Sequence, residues 1–421
     1  MEILSTGEKI KRARIYKGIT LKELCGDKIS ISKMSCIENG KVKADDEILK
    51  YVAEKIDSKY SYLVKDVYEQ IHENLIKIKS NEFKDEELEE NIKINLSYAI
   101  DYKYYDLAFQ FMHILIHGYL INKKSENIQL YISKYYDLFQ KNNSKENTIT
   151  YFLDMADYLL LSEEYGEAII YYDKLRDLVD INNTDEIDLV FYIVFYKESL
   201  CYSEMGENQK AYNIISQIIN TASRIKDKNL LIKVYELYSI LSIKNNSQNA
   251  KEYINEAIEL QKDNKASLAL LKSQYGEAYF QANNHEEAIK QIEEAVLLYS
   301  SSSKDEYVYF LNRCIQILYN NKQYDKAYEI TDEALNMAIM INDIKLIERI
   351  YYYKGSILQK QKKYQEAEKY MNLSLDSLFK CGSKEERYLR YIEMGNLYYN
   401  LNDVKESVKY FTLSNKIKND K

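Results

Sequence analysis

His113 and His117 stand four residues apart, a helical spacing at which two imidazoles can grip a zinc ion. No third ligand lies nearby, and their segment YYDLAFQFMHILIHGYL is largely apolar, so a packed or rim pair is expected and no metal is assigned. Acidic runs such as EELEEN and IEEA could pair carboxylates for acid–base work, but at this density they read as solvated helix faces. There is no phosphate-cradling glycine loop, no G-x-S-x-G elbow and no Cys/His constellation. The cysteines are Cys25, Cys36, Cys201, Cys314 and Cys381, an odd set without a C-x-x-C pair, which predicts reduced thiols. These absences predict a non-enzyme without a cofactor. What remains is binding chemistry: basic side chains near the amino terminus, and amides and tyrosines recurring with a period near forty.

The basic set has a sign asymmetry behind it. Residues 1–60 carry 13 Lys and Arg against 10 Asp and Glu, while the whole chain has a net charge of −8. A mildly basic head on an acidic body fits a nucleic-acid module joined to a larger sensor. Five short helices are predicted over residues 6–63. The first follows Thr6 and ends at Gly18. Thr20 and Glu23 form a capping box for the second, Ser30 caps a third that Gly40 stops, and Asp45 caps a fourth with Ile48, Leu49, Val52 and Ile56 inward. From Val64 a stripe of Val64, Val67, Ile71, Leu75 and Ile78 predicts an amphipathic helix, either a joint with dimer contacts or the first array helix. Residues 80–90 read as a loop and helix start, and 91–141 as degenerate or capping hairpins.

The array is carried by small residues. Ala168, Ala211, Ala250, Ala288, Ala327, Ala367 and Ser407 recur at steps of 43, 39, 38, 39, 40 and 40 residues. Twelve residues before each stands Ala156, Ser199, Tyr238, Gly276, Ile315, Gly355 or Gly395. That second position is often small, with Tyr238 and Ile315 filling it in two repeats; small side chains let two helices approach closely, and the short turns between them (SEEYGE, SEMGENQ, ANNHEE, NNKQYD, QKKYQ, NLNDVK) make hairpins. Such periodicity predicts stacked units presenting a surface that holds peptides or proteins. Taking one face of each first helix gives a candidate lining: Tyr196, Tyr235, Gln274, Glu277, Asn312, Gln316, Tyr319, Tyr352, Asn396 and Tyr399. Amides pair with both N–H and C=O of an extended peptide, and tyrosines hold its side chains. About half of these are expected to be ordinary solvated residues.

The run IKRARIYKGITLKELC…ISISKMSCIENGK resembles the helix-turn-helix of the Xre/Cro-like repressor family, with Thr20, Glu23 and Leu24 opening helix two and Ser35, Ile37, Glu38 and Gly40 closing helix three. It departs in a longer, more polar connection between those helices, and in Ala44 where a proline often opens helix four. In such a module the third helix enters the major groove. That implies base contacts from Ser32 and Lys33, with Cys36 outward and Ser35 near the backbone, and phosphate contacts from Arg12, Arg14, Lys17, Lys28, Asn39, Lys41 and Lys43.

Residues 147–417 resemble tetratricopeptide repeats with lengthened helices and without the usual closing proline. The expected fold is all-α: a helix-turn-helix domain at 1–63, a linker helix at 64–80, degenerate hairpins at 81–146, and a right-handed α-solenoid of tetratricopeptide-like hairpins at 147–421. Head and array together resemble the RRNPP family of quorum-sensing regulators. The resemblance implies a cytoplasmic homodimer on double-stranded DNA, switched by a short signalling peptide, with sporulation, toxin or solvent genes as targets. The alternative is an array acting on a response regulator or kinase, as a binder or as a phosphatase. No apolar run long enough for a membrane span and no signal core at MEILSTGEKIKRAR are present, so no membrane partner is expected.

Overall fold

A chain with no proline and only 11 glycines must turn by other means. It turns on non-glycine residues in the left-handed region, asparagines that tolerate it and lysines and a glutamate that favour it less: Lys103, Lys123, Glu163, Asn246, Asn283, Lys322, Asn342, Lys362 and Asn402, all with φ between 52° and 63°. Gly206, at φ 78°, makes the same turn with the residue best suited to it. Each closes the helix before it in one way. The Lys363 N–H reaches back to the Leu358 carbonyl at 2.9 Å, and the Lys362 N–H to that of Gln359 at 2.9 Å. These Schellman closures satisfy carbonyls that a helix end leaves without partners. A left-handed non-glycine residue costs roughly 1–2 kcal/mol, which the packing of each hairpin offsets.

The computed structural model describes residues 3–80, 85–179, 185–299 and 304–419, and every regular element among them is helical. Residues 81–84, in the expected loop, lie outside the described residues. The chain divides into two compact units, Met1–Cys201 and Tyr202–Lys421.

The first unit begins with α1 (Thr6–Tyr16), α2 (Leu21–Cys25), α3 (Ile31–Glu38), α4 (Asp46–Lys55) and α5 (Tyr60–Val64). Thr20 with Glu23, Ser30 and Asp45 cap as their spacing predicts, while α1 is capped by Ser5 with Glu8, one residue ahead of the expected Thr6. Ile10, Leu24, Met34, Ile37, Val52 and Leu63 make the core of this head. Gly7 brings α1 directly onto α3, since a Cβ there would lie 2.2 Å from the Ile37 carbonyl oxygen. Next come α6 (Val67–Lys79), α7 (Asp85–Asp101), α8 (Tyr105–Ile121), α9 (Ser125–Gln129), α10 (Ile132–Lys141), α11 (Lys145–Leu161), α12 (Tyr165–Leu178) and α13 (Asp185–Glu204), whose last turn from Tyr202 falls in the second unit. Of the α6 stripe, Val67, Ile71, Leu75 and Ile78 are buried in one core with Ile92, Leu96, Phe111 and Leu115, and Val64 stays exposed.

The second unit holds α14 (Asn208–Ile219), α15 (Lys228–Lys244), α16 (Ala250–Gln261), α17 (Lys265–Gln281), α18 (His285–Tyr299), α19 (Lys304–Asn320), α20 (Tyr324–Met340), α21 (Ile344–Lys360), α22 (Tyr364–Cys381), α23 (Lys384–Asn400) and α24 (Val404–Asn419). Within the hairpins, side-chain volume is traded between facing positions. A Cβ on Gly276 would lie 2.5 Å from Ile292 Cγ1, one on Gly355 2.7 Å from Met371 Cγ, and one on Gly395 2.7 Å from the Phe411 ring. The small residue on the first helix is thus the socket for a large one sixteen positions on. The α19–α20 hairpin reverses the trade: Ile315 and Thr331, at the same two positions, are both fully buried. Six of the seven recurring small residues are buried, but Ala250 is half-buried and opens its helix. In that hairpin Tyr238 fills the socket and meets Tyr253 edge-on, ring centroids 4.6 Å apart.

Candidate functional site

In the head, the elements around α3 decide which charges face outward. The Ser30 hydroxyl caps α3 by accepting the Lys33 N–H, and Ser32 and Lys33 are exposed on the first turn. Lys33 Nζ lies 3.5 Å from Asp45, an open surface pair. Ser35 and Cys36 are half-buried, and Asn39 is exposed with its amide donating to the Ser35 carbonyl. Lys28 precedes the helix and lies over the Tyr51 ring. Lys41 and Lys43 follow it and are exposed. Basic side chains therefore flank both ends of α3.

The arginines of α1 sit differently. Arg14 donates to both oxygens of Glu38, at 2.7 and 2.9 Å, and to the Ile19 carbonyl at 3.1 Å. Burial of Glu38 makes this pair part of the core, and the carboxylate holds the guanidinium still more firmly protonated. Arg12 lines a groove with Leu4, Lys11, Ile15 and Tyr16. Gly7, Ile10 and Arg14 mark the inward face of α1, and helical geometry puts Arg12 on the opposite one. Lys17 is exposed and pairs with Asp57 at 3.3 Å.

In the array, the expected lining separates by burial. Glu277, Gln316, Asn396 and Tyr399 are exposed; Tyr196, Tyr235, Gln274, Tyr319 and Tyr352 are half-buried; Asn312 is buried. Two of the tyrosines tie one first helix to the next. The Tyr319 hydroxyl bonds that of Ser356 on α21, and the Tyr352 hydroxyl donates to Glu393 on α23 at 2.9 Å. The Arg390 guanidinium lies 4.0 Å over the Tyr352 ring and pairs with Glu348 at 2.8 Å. These hydroxyls are engaged by the fold. Asn312 differs, because its Oδ1 is buried without a hydrogen-bond partner.

The second unit opens between α15 and α17 into a cleft of about 600 Å³. Of the expected lining only Gln274 borders it. The other walls are Ile232, Glu236 and Leu270 on the two helices, Leu260 and Gln261 at the end of α16, and Lys228 and Lys233 along α15. The open face is thus rotated from the one chosen by spacing. It runs through positions six and two residues before the small one, rather than three before and one after. The signal available in the sequence was a recurring apolar or aromatic residue at the six-before position, and Leu270, Tyr309 and Leu389 there are all exposed. Burial pushes the Glu236 carboxyl above its usual range, partly offset by Gln261 and Lys233.

The histidine pair is accounted for by packing. His113 Nδ1 lies 2.7 Å from buried Asp154, which also accepts the Tyr135 hydroxyl at 2.7 Å, and His117 is exposed. Among the described residues no three His, Cys, Asp or Glu side chains gather as metal ligands. Nor is any helix among them long and apolar enough to cross a membrane.

The tetratricopeptide repeat family model matches residues 239–264, 271–301, 348–377 and 390–421. Those four segments carry the tetratricopeptide repeat pattern. No curated protein matches it in sequence. Among solved structures it is similar to the apo form of RapI, at 12% identity and a TM-score of 0.51 over 84% of this chain and 97% of that one. It also matches the apo form of the quorum sensor NprR from B. thuringiensis, at 13% identity and 0.48 over 83% and 98%. A signal transduction ATPase with a tetratricopeptide repeat sensor, PH0952 from Pyrococcus horikoshii, matches at 14% identity and 0.46 over 98% and 72%. The likeness to RapI is one of fold.

Proposed function

We propose that this chain is a DNA-binding regulator whose head reads a duplex through α3 and whose array holds a short peptide that switches it. The carrying observation is the division of charge in the head. Arg14 is spent on Glu38 and buried Lys9 on backbone carbonyls, while Ser32 and Lys33 stand exposed at the amino-terminal end of α3 with Lys28, Lys41 and Lys43 beside it. A helix presented this way suits the major groove, with short polar side chains at base edges and lysines at phosphates. The proposed base contacts are Ser32 and Lys33. The proposed phosphate contacts are Lys17, Lys28, Asn39, Lys41 and Lys43, with Arg14 assigned to the fold. In the array, a cleft with amide and aliphatic walls suits an extended peptide, which brings both hydrogen-bond groups and apolar side chains.

The assembly would be a homodimer on a two-fold operator. Peptide binding would alter the presentation of the heads by a coupling of about 1–3 kcal/mol, enough to change occupancy several-fold. The test is fluorescence anisotropy with DNA from upstream of the chain's own gene, across a salt series. Specific binding that weakens steeply with salt is expected. If a folded head ignores every fragment at low salt, the reading fails.

A further inference from the structure

The first turn of α3 presents three side chains to solvent, Ile31, Ser32 and Lys33, and one of them is aliphatic. Ile31 is 49% exposed, whereas Ile29, on the other side of the Ser30 cap, is buried in the core of the head. The chain thus sends one isoleucine inward and the next outward across a single residue. Helix stability does not account for the choice, because a β-branched residue is a poorer helix former than leucine or glutamate. One turn further along α3 stand Met34, fully buried in the core, and Ser35, which ends in a short hydroxyl. Of the other two side chains on the first turn, Lys33 pairs with Asp45 at 3.5 Å and Ser32 is small. Lys28, Lys41 and Lys43 are exposed at the two ends of the helix, so a polyanion is drawn to the part of the head where this aliphatic side chain lies.

We propose that Ile31 is a specificity residue that reads the C5-methyl of a thymine on the floor of the major groove. This rests on the DNA reading above and adds to it the base selected at one position. Every base edge in that groove presents hydrogen-bonding groups, and the thymine methyl is the one apolar group among them. An aliphatic side chain brought there by the amino-terminal turn of α3 buries against that methyl. Against cytosine it meets an amino group and desolvates it without returning a hydrogen bond, so the contact favours thymine. Ser32, the next residue, is left to hydrogen-bond the neighbouring base edge. Val42 is the other exposed aliphatic residue near α3, but it comes after the helix has ended, between Lys41 and Lys43, and its N–H reaches the Cys36 carbonyl at 3.3 Å. That place belongs with the phosphate-contacting lysines, so Val42 is the comparison residue and carries no base preference.

The test is a cycle between side chain and methyl on the full chain. DNA from upstream of its own gene is amplified once with dTTP and once with dUTP, which removes the thymine methyls and keeps the Watson–Crick edges, and affinity is read by fluorescence anisotropy. The wild-type chain should bind the uracil fragment more weakly, by about fourfold for one methyl contact and about fifteenfold for two half-sites. Ile31→Ala should bind the thymine fragment about as weakly as the wild type binds the uracil one, lose little more on uracil, and keep its circular dichroism spectrum. Ile31→Val, still aliphatic, and Val42→Ala should both remain sensitive to the methyl. Equal wild-type affinity for the two fragments overturns the assignment of Ile31 while leaving the head a DNA reader. So does a methyl effect that Ile31→Ala retains in full. Binding of neither fragment by the wild-type chain overturns both readings.

Discussion

Replacing Arg14 with alanine separates two roles that the sequence leaves joined. As a phosphate contact, Arg14 would be exposed and expendable to the fold. Instead its side chain is 15% exposed and its partner Glu38 5% exposed, with two hydrogen bonds between them and a third to the Ile19 carbonyl. Removing one member of a buried ion pair leaves the other charge uncompensated and costs about 3–5 kcal/mol. A head of this size holds about 3–9 kcal/mol in total, at roughly 0.05–0.15 kcal/mol per residue. Arg14→Ala should therefore unfold much of the head and abolish DNA binding without touching the interface. Glu38→Ala should do the same, although it removes a negative charge that no phosphate contact would miss. The double variant R14M/E38L should recover stability, because an apolar pair of similar volume often replaces a buried ion pair without loss. Hydrogen exchange of the α1–α3 amides reports the fold, and anisotropy with upstream DNA at several salt concentrations reports binding. The reasoning is refuted if Arg14→Ala keeps full amide protection while affinity drops and the salt slope falls by about one, with Glu38→Ala binding normally.

Lys33→Ala is the complementary change. The Lys33–Asp45 pair is open to solvent and worth at most about 1 kcal/mol, so the head should stay folded while operator affinity drops by about 1–3 kcal/mol; unchanged affinity would remove α3 as the reading helix. Gly276→Ala puts a methyl into Ile292, and overpacking of about 1–3 kcal/mol should exceed the helix-propensity gain of up to about 1 kcal/mol. Thermal unfolding of a G276A/I292V pair should show partial rescue, and simple additivity would mean the two positions do not share a socket. Glu198 is 1% exposed, and burial raises its pKa to about 7 despite Arg176 at 3.0 Å. The folded state then holds this proton more tightly than the unfolded one, so stability should decline as pH rises from about 4.5 to about 7. Glu198→Gln should flatten that slope in urea titrations, and an equal slope in both proteins would count against the burial argument.

The legible part of this chain was the part set by local chemistry. Caps read correctly where a hydroxyl or carboxylate stood three residues before a matching donor, as at Thr20, Ser30 and Asp45. The hairpin period was legible because close helix approach demands a small side chain at fixed spacing, and Gly276, Gly355 and Gly395 show the clearance it provides. Spacing could not say which face of each first helix stays open, because a rotation of one residue swings the face by about 100°. Tyr319 and Tyr352 looked like ligand-binding rings from that spacing, yet their hydroxyls were claimed by side chains about forty residues away. Arg14 is engaged in the same way: its partner Glu38 is local in space and distant in sequence. Gln261 carried no signal, since a glutamine ending a helix usually faces water.

A switch of the proposed kind needs the reading head to follow the array, and the joint within the first unit is built to prevent independent motion. A head on a flexible tether would sample orientations that a ligand elsewhere cannot bias. Here Lys9, on α1, is 1% exposed and donates to the carbonyls of Tyr62 and Lys65, at 2.8 and 2.6 Å, across the junction of α5 and α6. Burial lowers its pKa, but those two acceptors and the Tyr62 ring at 4.7 Å compensate the ammonium in place. Ahead of α1, the Leu4 carbonyl accepts from Gln70 Nε2 at 2.8 Å, its N–H lies 3.4 Å from Gln70 Oε1, and Ile3 is buried in the core that holds α6. Swinging the head about the junction would strip a buried ammonium of its acceptors and pull Ile3 from apolar surroundings, both unfavourable. These contacts tie the head to α6, and the close packing of Gly7 on the Ile37 carbonyl links α1 onward to α3.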